Sequence, residues 1–248
     1  MMLLVDLGNT RLKWATLARS GLRPGGVFAH AEHDVDARLR SEWHTLARPS
    51  RVLVASVLDE EREARLAAFA RERFDLAPEF VRSPAAALGI RTAYAEPARL
   101  GVDRFLALAA LHARAPQLQV LASVGTAMTL DLLDAQGRHH GGLILPAPQL
   151  MRASLRARTA RVDVVEGHWR ELPDNTADAV ASGALYAATG AVARFLEVAT
   201  RRFGARPALF LTGGGADELE PLLADARRVH DLVLEGLAAW AAQPDARG

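Results

Sequence analysis

The sequence predicts an α/β protein made of two similar halves, each led by a β-hairpin. Three observations predict this. Short apolar runs at residues 2–5 and 12–17 flank a Gly8-Asn9-Thr10 turn, which reads as strand, turn, strand. A second unit of the same kind surrounds Gly125-Thr126-Ala127, and superposing Gly8 on Gly125 gives an offset of 117 residues (125 − 8). Self-similarity at this scale implies a duplicated domain. Helical patterns then close each half.

In chain order, residues 51–56 form a buried-type strand, and residues 59–74 an amphipathic helix with Leu66, Phe69 and Ala70 on its apolar face. Residues 101–113 read as a loop running into a helix. Strands at 119–123 and 128–133 follow, and a third, after a turn at Gly137, ends at Leu145. A long helix is expected over 176–202, then a strand at 208–211, the Gly213-Gly214-Gly215 run, and two closing helices near 217–223 and 231–240. The halves divide as 1–114 and 115–248. Each offers a glycine-containing turn to the other, so a cleft between them is expected, the usual place for a small ligand.

With 248 residues and 50% hydrophobic content, the chain can bury a sizeable core. It has no cysteine, which excludes disulfides, thiolate nucleophiles and cysteine-ligated zinc. The net charge is +1 and the arginines are dispersed among 29 acidic residues, so no nucleic-acid partner is expected. Arg152, Arg156, Arg158 and Arg161 form the densest basic stretch and read as a solvated helix end. No run approaches the roughly 18 apolar residues that cross a bilayer. Asp6 stands where a signal peptide needs a basic and then an apolar stretch. A cytoplasmic protein with no membrane partner is expected. His139 and His140 are adjacent on a strand and point to different faces, so joint metal binding is not expected. The four tryptophans read as core or interface.

Lys13 is the only lysine among 30 Lys and Arg residues. A lone ammonium just after a Gly-Asn-Thr turn suits one phosphate oxygen met by a compact point charge, a task for which a planar guanidinium is poorly shaped. The bland alternative is a surface lysine beside an ordinary hairpin turn. Turns rich in Gly, Asn and Thr expose backbone N–H groups that can cradle phosphate oxygens. Asp6 and Asp131, at or near the ends of the hairpins, either hold magnesium or cap the turns. The run Gly213-Gly214-Gly215 marks a place where backbone approaches something closely, either a nucleotide or simply the following helix. In Leu100-Gly101-Val102-Asp103-Arg104, Asp103 is either a helix cap or a base that accepts a proton from a substrate hydroxyl, with Arg104 as an anion-binding fork.

These residues carry a family resemblance. Asp6-x-Gly-Asn-Thr-x-x-Lys13, Gly101-x-Asp103-Arg104, Gly125-Thr126-Ala127-x-Thr129-x-Asp131, Gly141-Gly142-x-Ile144-x-Pro146, Asn175-Thr176 with Ser182-Gly183, and the glycine run stand in the order and spacing of type III pantothenate kinases. The resemblance spans nearly the whole chain. It implies a duplicated actin-like (ribonuclease-H-like) α/β fold, with mixed sheets flanked by helices and an interdomain cleft. It also implies ATP-dependent phosphorylation of pantothenate in a homodimer.

Residue by residue, the resemblance implies that Asp6, Leu7, Gly8, Asn9, Thr10, Arg11, Leu12 and Lys13 form the first ATP phosphate loop. Thr126, Gly213 and Gly214 are implied as further ATP contacts. Tyr94, Gly101, Val102, Asp103 and Arg104 resemble the pantothenate site, with Asp103 as general base and Arg104 on the substrate carboxylate. Thr176 matches a substrate-side threonine that the family delivers from the partner subunit. Mg2+ is the expected companion of ATP.

Two departures stand out. Many members have an Asp two residues before the Gly-Thr-Ala turn that binds a monovalent cation (K+ or NH4+), and this chain has Ser123 there. Ala147 stands where the family usually has Gly after Pro146, and Pro148 follows it. Two rival readings remain at this stage. One is a kinase of the same superfamily acting on another small alcohol or carboxylate. The other is a transcriptional accessory factor, which would have no need of Asp103.

Overall fold

The computed structural model describes residues 1–29, 35–158 and 167–243. The chain forms two compact units, one of Met1–Ala115 with Asp231–Gly248 and the other of Pro116–His230.

The first unit opens with strands β1 (Met2–Leu7), β2 (Arg11–Ala18) and β3 (Gly21–Ala29), then α1 (Val35–Trp43), β4 (Val52–Ser56), α2 (Glu60–Phe74) and β5 (Glu79–Val81). The two-residue strands β6 (Ala86–Ala87) and β7 (Ile90–Arg91) precede α3 (Val102–Arg114). The main sheet has the order β3-β2-β1-β4-β5. Its first three strands are antiparallel and its last two run parallel to β1. Alternation along β1 sends Leu3, Val5 and Leu7 into a core with Leu39 and Trp43 of α1 and Leu66, Phe69 and Phe74 of α2. Helix α2 begins where expected: the Asp59 side chain accepts from the Arg62 N–H at 2.9 Å, and Glu60, Glu61 and Glu63 fill the first turn.

The second unit repeats this plan. Strands β8 (Gln119–Val124), β9 (Ala127–Leu133) and β10 (His139–Pro146) are followed by α4 (Pro148–Arg158), α5 (Thr176–Phe203), β11 (Ala208–Thr212) and β12 (Ala226–Arg228). The sheet order is β10-β9-β8-β11-β12, the same arrangement as in the first unit. The ends of β8 lie 117 residues beyond those of β1, so the offset read from the turns holds for the whole strand. Val120, Ala122, Val124, Met128, Leu130 and Leu132 pack on one face against Leu185, Ala188, Val192 and Leu196 of α5. By length and composition α5 could span a membrane, contrary to the expectation that no segment could. Its buried stripe instead belongs to this core.

The final helix, α6 (Leu232–Ala241), returns to the first unit and packs on α3, β1 and β4. The division at 114/115 expected from sequence gave this helix to the second half. It packs with the first because α3 and α6 approach at backbone distance: a Cβ on Gly236 would lie 2.4 Å from the Leu106 carbonyl oxygen. Arg114 at the end of α3 also pairs with Glu235. The helix expected near 217–223 is two single 3-10 turns, Ala216–Glu218 and Glu220–Leu222. Pro221 offers no N–H to an α-helical ladder, which explains the break.

Candidate active site

Strand register sets the first turn. β1 and β2 pair with Asp6 opposite Lys13 and Leu7 opposite Leu12. Directly opposed residues share a face, so the Asp6 and Lys13 side chains leave the sheet on the same side. The Gly8 N–H closes the turn on the Arg11 carbonyl at 3.1 Å, and Asn9, Thr10 and Arg11 are exposed at its tip. Leu7 and Leu12 are buried, so they can offer a ligand only backbone groups.

Asp103 arrives from the first turn of α3. The buried Ser83 hydroxyl donates to the Leu100 carbonyl at 2.7 Å, tying down the approach to that helix. Asp103 does not cap α3, whose N-cap is Gly101. Its Oδ1 instead accepts from the Arg104 backbone N–H at 2.8 Å. A Cβ at Gly101 would fall 2.6 Å from that same oxygen, so glycine leaves the room the carboxylate occupies. Gly101→Ala is expected to displace the Asp103 carboxylate and lower turnover about 10- to 100-fold. Steady-state kinetics, with circular dichroism as a control for folding, checks this.

Asp6 feels both neighbours. Burial pushes its carboxyl up from 3.8 to about 7; the Lys13 ammonium opposes the rise and the Asp103 carboxylate adds to it. Arg104 is buried, and its Nη1 donates to the Tyr94 hydroxyl at 3.1 Å with the guanidinium 5.8 Å from the ring centroid. Two expected substrate residues are therefore in contact. Val102 faces the core and contributes no side chain to a site.

In the second unit the Gly125 N–H donates to the Ala127 carbonyl at 2.9 Å, leaving Thr126 exposed at the tip. The glycine run rests on this turn. Gly215 N–H donates to the Val124 carbonyl at 3.0 Å. Gly213 has φ +95, and a Cβ there would lie 2.3 Å from the Val124 oxygen. The close approach expected of this run is thus to Val124 of its own unit, which joins the second turn to Gly213 and Gly214. Gly213→Ala combines a left-handed backbone with a backbone collision. It is expected to lower the melting temperature by several degrees, a loss of about 2 kcal/mol or more, as differential scanning fluorimetry would read.

Other expectations are corrected or completed. Asp131 lies within β9, 1% exposed, and its Oδ1 is 3.0 Å from Nε2 of the fully buried His139. Its carboxylate is engaged inside the sheet and not at the turn, so no magnesium role is assigned to it. Thr176 is exposed at the start of α5, where the Asn175 side chain caps the helix by accepting from Asp178 N–H at 3.0 Å. Ala147 is buried with no positive φ, so glycine is not needed there. Pro148 is the first residue of α4, where a missing N–H costs nothing. In the basic stretch, Arg152 pairs with Glu218 at 2.7 and 3.0 Å, and Arg161 lies outside the described residues. Ser83 was not singled out from sequence, because a lone serine between short strands carries no local signal.

Among the described residues no three His, Asp or Glu side chains converge as a protein-only metal cage. Magnesium does not need one, since it keeps several waters and takes one or two carboxylates plus substrate phosphates. Asp6, a carboxyl raised by burial beside Asp103, fits that donor set.

Two mixed sheets of identical strand order, each led by a hairpin turn, make this an actin-like α/β protein. The sequence profile described as type III pantothenate kinase matches residues 2–198. A protein named type III pantothenate kinase from Xanthomonas campestris pv. campestris (strain B100) is 44% identical over 238 residues, covering 96% of each chain. The chain belongs to the type III pantothenate kinase family.

Solved structures agree on the fold. A putative 2-dehydro-3-deoxygalactonokinase from Sinorhizobium meliloti matches with TM-score 0.62 at 13% identity, covering 97% of this chain and 98% of its own. A conserved putative Baf family transcriptional activator from Campylobacter jejuni matches with TM-score 0.58 at 19% identity, covering 95% of each.

Proposed function

We propose that the protein transfers the γ-phosphoryl group of ATP to the primary hydroxyl of pantothenate, giving 4'-phosphopantothenate and ADP, the first step of coenzyme A biosynthesis, in the cytoplasm. The observation that carries this reading is the placement of Asp103. Its carboxylate is held by a backbone N–H, stands within electrostatic reach of Asp6, and is followed by Arg104 on Tyr94. In the step itself, the pantothenate oxygen bonds to the γ-phosphorus as the bond to the β-bridging oxygen breaks, and the hydroxyl proton passes to Asp103. Arg104, steadied by Tyr94, binds the pantothenate carboxylate. Lys13 and the Gly8, Asn9 and Thr10 turn meet the phosphates, while Thr126, Gly213 and Gly214 serve the nucleotide from the second unit. Asp6 would hold Mg2+, which when bound offsets phosphate charge.

A homodimer with Thr176 delivered across its interface completes the reading. It is supported by apolar side chains left open on the second unit: Leu143 at 44%, Ile144 at 65%, Leu150 at 41% and Leu155 at 44% exposure. Only Pro148 of the eleven residues of α4 is buried. Exposed apolar side chains of this kind are what a second copy can cover.

The test is ADP release in a coupled assay with pantothenate present or omitted, alongside a panel of other small alcohols. ADP release that depends on pantothenate is the expected result, and release that depends on another alcohol overturns the substrate. Lys13→Arg keeps the charge but widens the head group beside Asp6. It is expected to raise KM for ATP and lower turnover; unchanged constants would make the single lysine a compositional accident.

A further inference from the structure

The monovalent cation that the family resemblance brings with it does not fit the residues of this chain. Ser123 pairs with Thr129 across β8 and β9 and with Thr212 across β8 and β11. Register partners share a face, so Thr212, Ser123 and Thr129 form one lateral row of three hydroxyls at the turn end of the sheet. All three are partly exposed, next to the exposed Thr126. The row one step further in on the same face holds Asp131, which is buried and bonded to His139. This row thus offers neutral hydroxyls and no carboxylate.

The chemistry of such a row differs from that of an acid. A carboxylate beside a phosphate chain repels it, and a cation placed between them removes the repulsion. A hydroxyl carries no charge and donates a hydrogen bond directly to a phosphate oxygen. A row without a fixed anion also lacks the charge that a carboxylate offers a cation.

We propose that the Ser123, Thr129 and Thr212 hydroxyls bind the phosphate chain of ATP directly, and that this enzyme works without a monovalent cation. This rests on the ATP-site reading above and extends it to two residues, Thr129 and Thr212, not otherwise assigned. The test compares full-length enzyme in potassium chloride with enzyme in tetramethylammonium chloride at equal ionic strength. Binding of a non-hydrolysable ATP analogue with magnesium is measured by calorimetry, and turnover is measured separately. Affinity and KM for ATP within about 2-fold in the two salts are expected, as is a rise of about 10-fold in KM for ATP in Thr129→Ala or Thr212→Ala. Ser123→Asp restores an acid and is expected to make analogue binding potassium-dependent by 10-fold or more. A 10-fold loss of affinity in the wild-type protein without potassium overturns the proposal, whatever Ser123→Asp does. Analogue binding that is equal in both salts, with no turnover of pantothenate, would sink the substrate reading and leave this one standing.

Discussion

Asp103→Asn is expected to lower turnover by roughly 10²–10⁴-fold, the range for loss of a general base, while KM for ATP and the melting curve stay close to wild type. The geometry explains why the loss should be confined to turnover. Asp103 Oδ1 already has its hydrogen bond from the Arg104 N–H, and an asparagine carbonyl can accept the same bond, so the start of α3 keeps its shape. What disappears is the capacity to take a proton from the attacking hydroxyl. Stopped assays sensitive to one part in ten thousand of wild-type turnover are enough, and near-normal turnover would remove Asp103 from the mechanism.

Asp6→Asn should have two opposite effects. Turnover collapses, because the residue opposite Lys13 no longer offers a carboxylate. Stability of the nucleotide-free protein rises at alkaline pH. In the unfolded chain Asp6 ionises near 3.8, and in the folded protein near 7. Between those values the folded state holds a proton the unfolded state has lost, so stability falls as pH climbs from about 4 to about 7, then levels off. At pH 8 the penalty is on the order of 2–4 kcal/mol, and asparagine does not incur it. Scanning calorimetry at pH 5 and pH 8 should show a higher melting temperature for Asp6→Asn at pH 8, and a gap that narrows at pH 5. A variant less stable than wild type at pH 8 would contradict the burial assigned to this carboxyl.

The strands that lead each half were legible because their chemistry is local. Alternating apolar runs about a Gly-Asn-Thr or Gly-Thr-Ala turn specify a hairpin, and the 117-residue repeat located the second from the first. The edge strand β3 was not legible. It contains Pro24, Gly25 and Gly26, which read as loop, and they are tolerated because an edge strand needs only one row of hydrogen bonds. Gly25 also leaves space for the Trp14 ring, which a Cβ would meet at 2.1 Å, a tertiary reason invisible in sequence. The partner of Asp131 was not legible for a related cause: nothing local says that His139, eight residues away across a bulged strand pair, will meet its carboxylate. Gly101 was legible as part of a motif, but its steric reason appears only beside the Asp103 side chain. Arg104 and Tyr94 were matched by resemblance, and their contact at 3.1 Å is what spacing alone could not give.

The return of α6 to the first unit affects how the protein is made. During synthesis the strands that carry Asp6 and Lys13 and the helix that carries Asp103 leave the ribosome well before α6, so α3 waits for its partner until Leu232–Ala241 emerges. The intervening unit, Pro116–His230, is complete before then and can fold as an insert. The substrate-side half is therefore begun before the intervening unit and finished after it. A nonsense codon just before Asp231 would spare every residue assigned to the phosphate and pantothenate sites. It would still leave the helix bearing the base without the surface that holds it in place.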